Sequence, residues 1–398
     1  MSRSGDVAAR LAPFGTTIFA EMSRLAVEHG AVNLSQGFPD FDGPAFVREA
    51  AAAAMAAGHN QYAPMGGAPV LTEAIGAWFA RASGIEVEPR AEVTVTSGCT
   101  EALAAAFLGL VEAGDEVVLF EPFYDSYRAC VAMAGATPRF VTLRPGEGGG
   151  AFSFNEAELR GAFGARTRAV LVNTPHNPTG KVFTRAELEL VASLCREHDV
   201  VAITDEVYER LTFDGGLPHV CLASLPGMRE RTVTLSSLGK TFSFTGWKIG
   251  WSIAPAGLTA GVRAAHQFLT YSVSTPLQHG AAAALRDGEE SVRELVMHYR
   301  EARDYLCEVL DRVGFDVHVP DGTYFIMAGH EKVSGRLGLA DDVALCRHLT
   351  TKVGVAAIPP SFFYEDWSQG RGLVRFAFCK KMETLREAAR RLDALRRQ

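Results

Sequence analysis

No stretch of this 398-residue chain approaches the ~18 consecutive apolar residues of a membrane-spanning helix. The Ala-rich run from Ala50 to Ala57 is short and reads as a packed helix. The first residues, MSRSGDVAARLAPF, contain no apolar h-region, so no secretory signal peptide is expected. Positive charge is not in excess: Lys+Arg number 39 against 46 Asp+Glu, a net charge of -7. A nucleic-acid partner calls for a basic excess or stripe. The Arg-rich end from Arg386 to Arg397 alternates with Leu and Ala at helical spacing and reads as a solvated helix face. Cysteine is sparse. The seven stand at 99, 130, 195, 221, 307, 346 and 379, an odd number with no C-x-x-C pair. That pattern argues against a disulfide framework and a zinc site, and it fits the reducing cytoplasm. There is no H-E-x-x-H and no obvious histidine cluster, so no metal is expected. No linker rich in Pro, Gly or Ser and no internal repeat divides the chain.

What is present is an ordinary globular balance, 47% hydrophobic and 21% charged. The length suggests about two domains. Strands are expected at Val93–Thr96, Glu116–Phe120, Ala169–Asn173, Val200–Thr204 and Thr232–Ser236, several of them continuous apolar runs suited to burial on both faces. Helices are expected between them at Thr100–Leu110, Tyr124–Ala134 and Arg185–His198. This alternation predicts an α/β fold with a mostly parallel sheet sandwiched by helices. The C-terminal part has α+β texture. A long amphipathic helix Glu290–Val313 precedes a hairpin of Phe315–His318 and Thr323–Ala328. A helix at Asp341–Lys352, strands at Val353–Ile358 and Leu373–Phe378, and a last helix from Met382 follow.

Gly239-Lys240-Thr241 invites a nucleotide-binding reading, but the P-loop pattern needs glycine where Thr234 stands. Lys240 instead follows a strand end, the zone where open α/β sheets bind ligands. A lysine buried there near a second cation, such as Lys248, has a lowered pKa. A neutral amine is what nucleophilic attack on a carbonyl requires. Asp205 ends an apolar run, so its carboxylate emerges at the sheet edge or caps the following turn. Tyr208 lies three residues on, one turn further if that stretch is helical. Asn177 sits in Thr174-Pro175-His176-Asn177-Pro178-Thr179-Gly180, a rigid turn able to aim an amide. Thr96-Ser97-Gly98-Cys99-Thr100 runs from strand through glycine to helix, where free amides suit a phosphate. Cys99 reads as a small first-turn residue rather than a nucleophile.

Taken in order, Asn177-Pro178-Thr179-Gly180, Asp205-Glu206-Val207-Tyr208, Ser237-Leu238-Gly239-Lys240 and Gly246-Trp247-Lys248 resemble the class I/II aminotransferases of the pyridoxal-phosphate (PLP) fold type I. The resemblance extends from Asn33-Leu34-Ser35-Gln36-Gly37-Phe38-Pro39 to Arg375-Phe376-Ala377-Phe378-Cys379-Lys380, and it points to the branch of kynurenine, glutamine and methionine aminotransferases. It implies Lys240 as the Schiff-base lysine and proton shuttle, and Asp205 as the anion facing the pyridine nitrogen. A unit-charge pair at ~4 Å is worth about 4 kcal/mol at a dielectric of 20, roughly three pKa units. The resemblance further implies that Asn177 and Tyr208 contact the 3′-oxygen and that Tyr124 stacks on the ring. Gly98, the Cys99 and Thr100 amides, Ser237 and Lys248 would hold the phosphate, joined by Tyr62 from a neighbouring subunit. Arg375, helped by the Gly37 backbone, would grip the α-carboxylate, with Phe19 and Phe363 lining the side-chain pocket.

The implied organisation is a homodimer with shared sites. Within each chain, residues 1–45 form an N-terminal arm and part of a small domain, 46–285 a large cofactor-binding domain, and 286–398 the C-terminal small domain. The implied reaction is ping-pong transamination between an amino acid and a 2-oxo acid. Ser272-Val273-Ser274-Thr275 stands where eukaryotic kynurenine enzymes carry Phe-His, which argues against a kynurenine preference. An apolar pocket favours glutamine, methionine or aromatic donors over aspartate. The same site also suits N-succinyldiaminopimelate transamination or a cysteine-S-conjugate β-lyase. A PLP-binding transcription regulator would need a DNA-binding domain, and no basic helix-turn-helix precedes the first motif.

Overall fold

The computed structural model describes residues 7–15, 17–213 and 216–397. Residues 1–6, part of the segment bearing on the signal-peptide expectation, lie outside that set. Twelve strands are described: β1 Val32–Asn33, β2 Val93–Ser97, β3 Glu116–Glu121, β4 Thr137–Thr142, β5 Thr167–Asn173, β6 Val201–Asp205, β7 Thr232–Ser237, β8 Ile249–Ile253, β9 Asp316–His318, β10 Phe325–Gly329, β11 Val355–Ala356 and β12 Leu373–Ala377. Seven of them form one sheet in the order β2-β8-β7-β6-β5-β3-β4. All its pairings are parallel except those of β8, which runs antiparallel to both β2 and β7.

Strand alternation sorts the side chains into two layers. Val117, Leu119, Leu171, Ile203 and Leu235 pack with Ala102, Phe107, Tyr127 and Val131 of helices Gly98–Leu110 and Asp125–Met133. Val118, Val170 and Ala202 point the other way, toward Leu188, Val191 and Cys195 of helix Arg185–Glu197. That helix starts with a full capping box between Thr184 and Glu187. The expected strands are present within a residue or two, and two were missed. The edge strand β4 carries Pro138 and an exposed alternating start, as an edge tolerates. Strand β8 begins directly after the Gly246-Trp247-Lys248 motif. There Gly250 lets β8 approach the start of helix Gly98–Leu110: a Cβ on it would come 2.4 Å from the Gly98 carbonyl carbon.

The C-terminal part forms the antiparallel sheet β12-β10-β9. The expected hairpin is there as β9 and β10. The expected strand Val353–Ile358 reduces to the two residues of β11, which pair parallel to β1. Gly354 precedes it with φ 81° and Pro359-Pro360 follow, so the regular ladder is short. The helix expected at Asp341–Lys352 is an α-helix over Asp342–His348 that loosens into a π-turn at Leu349–Val353. Ile18, Met22 and Leu34 from the N-terminal segment share one apolar core with Leu306, Leu310, Phe376 and Leu385. This core abuts the large sheet through Val207, Tyr208 and Leu211, and the functional cavity opens at that junction.

Candidate active site

The cavity, about 440 Å³, lies at the C-terminal ends of β6 and β7. Asp205 is the last residue of β6 and is 7% exposed. Its Oδ2 accepts a hydrogen bond from the Tyr127 hydroxyl at 2.7 Å, and its Oδ1 accepts one from the Val207 amide at 3.3 Å. The carboxylate thus emerges at the sheet edge and also caps the following turn. Burial pushes its pKa up, while the Tyr127, Val207 and Cys99 hydrogen bonds and the Lys240 charge hold it down. Such a buried anion calls for a cation facing it. Residues 207–210 form turns rather than the helix considered for Tyr208.

Lys240 sits in the short helix Leu238–Thr241 that follows β7. Its Nζ lies 5.9 Å from the Tyr208 ring centroid and 5.8 Å from that of Tyr324. Burial pushes its ammonium below the ordinary lysine range, and Lys248 pushes in the same direction. Lys248 itself adopts φ 54° at the end of the turn Thr245–Trp247. Its Nζ would come 3.0 Å from a Cβ placed on Gly98, which has φ 74°. Glycine at position 98 therefore leaves a cradle between a helix N-terminus and an ammonium, with Cys99, Thr100 and Ser237 on the same wall. That combination suits a phosphate dianion.

Arg375 lies in the middle of β12, opposite Met327 of β10, and is 2% exposed. Its Nη1 donates to Asn177 Oδ1 at 3.1 Å and its Nη2 to the Ser35 carbonyl at 3.0 Å, while Nε has no partner. The guanidinium carbon lies 4.2 Å from the Phe325 ring centroid, 5.3 Å from that of Phe19 and 5.4 Å from that of Phe363. Burial lowers its pKa to about 10, so it stays charged at neutral pH. A guanidinium held among aromatic rings on a cavity wall suits a carboxylate. Asn177 is oriented through Asn173, whose Oδ1 accepts from the Asn177 amide at 2.7 Å and whose Nδ2 donates to the Asp205 carbonyl at 2.8 Å. Gly37 also faces the cavity; the Tyr324 hydroxyl holds its carbonyl at 2.7 Å.

Of the expected site residues, Gly37, Gly98, Cys99, Thr100, Tyr124, Asn177, Asp205, Tyr208, Ser237, Lys240, Lys248 and Arg375 all face this one cavity, as does Phe19. Two do not. Phe363 is buried behind Phe19, with ring centroids 5.6 Å apart, and backs the pocket instead of lining it. Tyr62 is 83% exposed and packs edge-on against Tyr271, outside the cavity of its own chain. The sequence reading missed Tyr127, Tyr324 and Asp125. Tyr127 follows Tyr124 by three residues at the start of one helix, a spacing that places both on one face. Asp125 puts a second carboxylate on the cavity wall, held up by burial and stabilised by the Ser126 amide and the Arg375 charge. Among the described residues no group of three or more His, Cys, Asp or Glu side chains is placed to hold a metal. No described helix is long and apolar enough to cross a membrane.

The phosphate cradle, the buried Asp205 and the depressed Lys240 fit PLP, which joins a phosphate, a ring nitrogen that carries a proton and an aldehyde. Comparison with known proteins agrees. The family model for aminotransferase class I and II matches residues 29–392. A probable N-succinyldiaminopimelate aminotransferase of Mycobacterium tuberculosis is 49% identical, covering 97% of this chain and 98% of its own. The solved structure of N-succinyldiaminopimelate aminotransferase from that organism superposes with a TM-score of 0.93 at 49% identity, over 98% of this chain and 100% of the other. The methionine aminotransferase of Escherichia coli is 42% identical, with 97% of each chain covered. Human kynurenine–oxoglutarate transaminase 1 is 40% identical over 92% of this chain and 93% of its own. The chain therefore belongs to the class I and II aminotransferases, has their PLP fold type I architecture, and is a PLP-dependent aminotransferase.

Proposed function

We propose that the enzyme moves an amino group between an amino acid with an uncharged side chain (glutamine, methionine, aromatic or kynurenine-like) and a 2-oxo acid, by a ping-pong scheme. The observation that carries this reading is Arg375, a buried cation on the wall of the same cavity as Lys240 and Asp205. Amino and oxo acids share an α-carboxylate, so one arginine serves both substrates in turn. Phe19, Phe38 and Phe325 give the rest of the cavity an apolar wall. Asp125 repels a second carboxylate on the substrate, which favours uncharged side chains over aspartate.

When bound, PLP supplies an electron sink for charge developing at the substrate Cα. Lys240, whose ammonium burial pushes below the ordinary lysine range, would take the Cα proton and return it. Asp205 would face the ring nitrogen, and Asn177 and Tyr208 would act at the 3′-oxygen. Tyr124 would stack on the ring, while Gly98, Cys99, Thr100, Ser237 and Lys248 would hold the phosphate. Replacing Lys240 by Ala is expected to abolish turnover, more than ~10⁴-fold given the usual scale of lost acid–base catalysis, in an assay coupling glutamine or methionine to a 2-oxo acid. Turnover by Lys240→Ala, or a clear preference for aspartate in a donor panel, would sink the reading. The 49%-identical relative favours a second one, with N-succinyldiaminopimelate as the amino donor. Including that compound in the panel separates the two.

The enzyme is also proposed to work as a homodimer in the cytoplasm. Tyr62, Phe268, Leu269 and Tyr271 form an exposed apolar patch that a second copy would cover, delivering Tyr62 to the partner's phosphate cradle. All seven cysteines are free, as the cytoplasm keeps them. The proposed division is 1–45 with 286–398 as the small domain and 46–285 as the large one. The core shared by Ile18, Met22 and Leu34 with the C-terminal segment supports it.

A further inference from the structure

Three titratable side chains that do not face the cavity gather beside it. Glu206 follows Asp205 directly and is 3% exposed. Its Oε2 accepts from His219 Nε2 at 2.8 Å, while Glu206 Oε1 and His219 Nδ1 are buried without partners. Glu209 follows Tyr208. Its Oε1 accepts from Trp78 Nε1 at 3.4 Å and its Oε2 from the Ser236 hydroxyl at 3.1 Å. Ser236 immediately precedes Ser237 in β7, the strand that leads into Lys240. Glu209 therefore joins the turn that presents Tyr208 to the strand end that presents Ser237 and Lys240.

We infer that Glu209, supported by the Glu206–His219 pair, is a positioning residue that ties the Tyr208 turn to the Ser237–Lys240 segment and sets their spacing around the cofactor. The inference rests on the reading of this cavity as a PLP site. Burial pushes the Glu209 carboxyl up to about 7; His219 opposes that push and Glu206 adds to it. Burial opposes the charge on His219 too, but the charge and hydrogen bond of Glu206, with Glu209, hold the imidazolium above its ordinary range. The other polar groups packed here are the Cys221 thiol, whose pKa burial raises, and Arg210, which stacks over Trp78 and pairs with Glu289. An ionised Glu209 accepts both hydrogen bonds. A protonated one must donate its proton, and Ser236 Oγ is the neighbour able to take it, so the tie rearranges as the pH falls through about 7.

The test follows the holoenzyme without turnover first, by titrating the cofactor absorbance against pH, and then measures kcat and KM over the same range. The wild type is expected to show a component near pH 7 in both. Glu209→Gln keeps an acceptor for Trp78 and a donor for Ser236 but cannot ionise, so that component should vanish while cofactor affinity changes less than about 2-fold. Glu209→Ala should weaken cofactor affinity and lower kcat, each by about 10-fold, with KM moving less than about 2-fold. Ser236→Ala, which cuts the tie from the other side, should shift the absorbance titration and carries the test if Glu209→Ala does not fold. Persistence of the pH 7 component in Glu209→Gln overturns the inference. So does an Ala variant that loses thermal stability while its absorbance titration, cofactor affinity and kcat stay those of the wild type. A wild type that gains no cofactor absorbance with PLP overturns the reading of the cavity itself, an outcome distinct from either.

Discussion

Tyr127 is the residue on which the charge of Asp205 most visibly depends. Burial works against that charge, and the hydroxyl 2.7 Å from Oδ2 is the first of the groups opposing burial. A hydrogen bond to a charged group contributes ~1.5–3 kcal/mol. Tyr127→Phe removes it while keeping the ring in its apolar setting. The Asp205 pKa should then rise further, so the carboxylate protonates at higher pH as the solution is acidified. The acidic limb of the kcat profile is expected to move to higher pH by about 1–2 units. A profile superimposable on the wild type would show that Asp205 does not rely on Tyr127. Tyr127 was not legible in the sequence because it lies 78 residues from Asp205, and only their meeting gives it a role. Asn177 and Lys240 were legible because each sits in a short local motif that marks a turn or a strand end, and Arg375 through the family resemblance of its segment.

At the scale of elements, the site depends on how closely β8 approaches the start of helix Gly98–Leu110. A Cβ on Gly250 would lie 2.4 Å from the Gly98 carbonyl carbon and 2.5 Å from the Cys99 nitrogen, and backbone cannot swing aside as a side chain can. Gly250→Ala must push the strand and the helix apart, at a cost of ~1–3 kcal/mol for overpacking. The same displacement moves the Gly98 and Cys99 amides relative to Lys248. Both a lower melting temperature and weaker PLP binding are expected, read by calorimetry and by fluorescence titration of the apoenzyme. A variant that loses stability but binds PLP as tightly as the wild type would separate the packing from the cradle. Strands β3, β5 and β6, buried on both faces, were legible as apolar runs, and β7 as a short run rich in β-branched Thr and Val. Strand β4 was not, because an edge strand with one exposed face and a Pro lacks that signature. Strand β8 was not either, because its reason to exist is the neighbour it packs against.

For the whole molecule, the exposed patch of Tyr62, Phe268, Leu269 and Tyr271 is the largest open consequence. Phe268 is 85% exposed, and an apolar patch of this kind marks an association surface. Sedimentation is expected to give twice the chain mass at micromolar concentration. Phe268→Glu should shift the molecule toward monomer and lower activity in parallel, as the proposed delivery of Tyr62 to the partner's phosphate cradle requires. An active monomer would show that each chain is complete alone.

The sequence by itself determined the family, five of the seven strands of the large sheet, and the short motifs that carry Asn177, Asp205 and Lys240. Those depend on local patterns: apolar periodicity, glycine at a strand–helix junction, a charged residue at a strand end. Only the tertiary structure decided that Phe363 stands behind the pocket and not in it, that Asp125 adds a carboxyl to its wall, that Tyr127 meets Asp205, and that Glu209 meets Ser236. These roles come from contacts between residues far apart in the chain, where burial and a few ångströms of approach set the pKa of a carboxyl and the aim of a side chain. No local spacing carries that information.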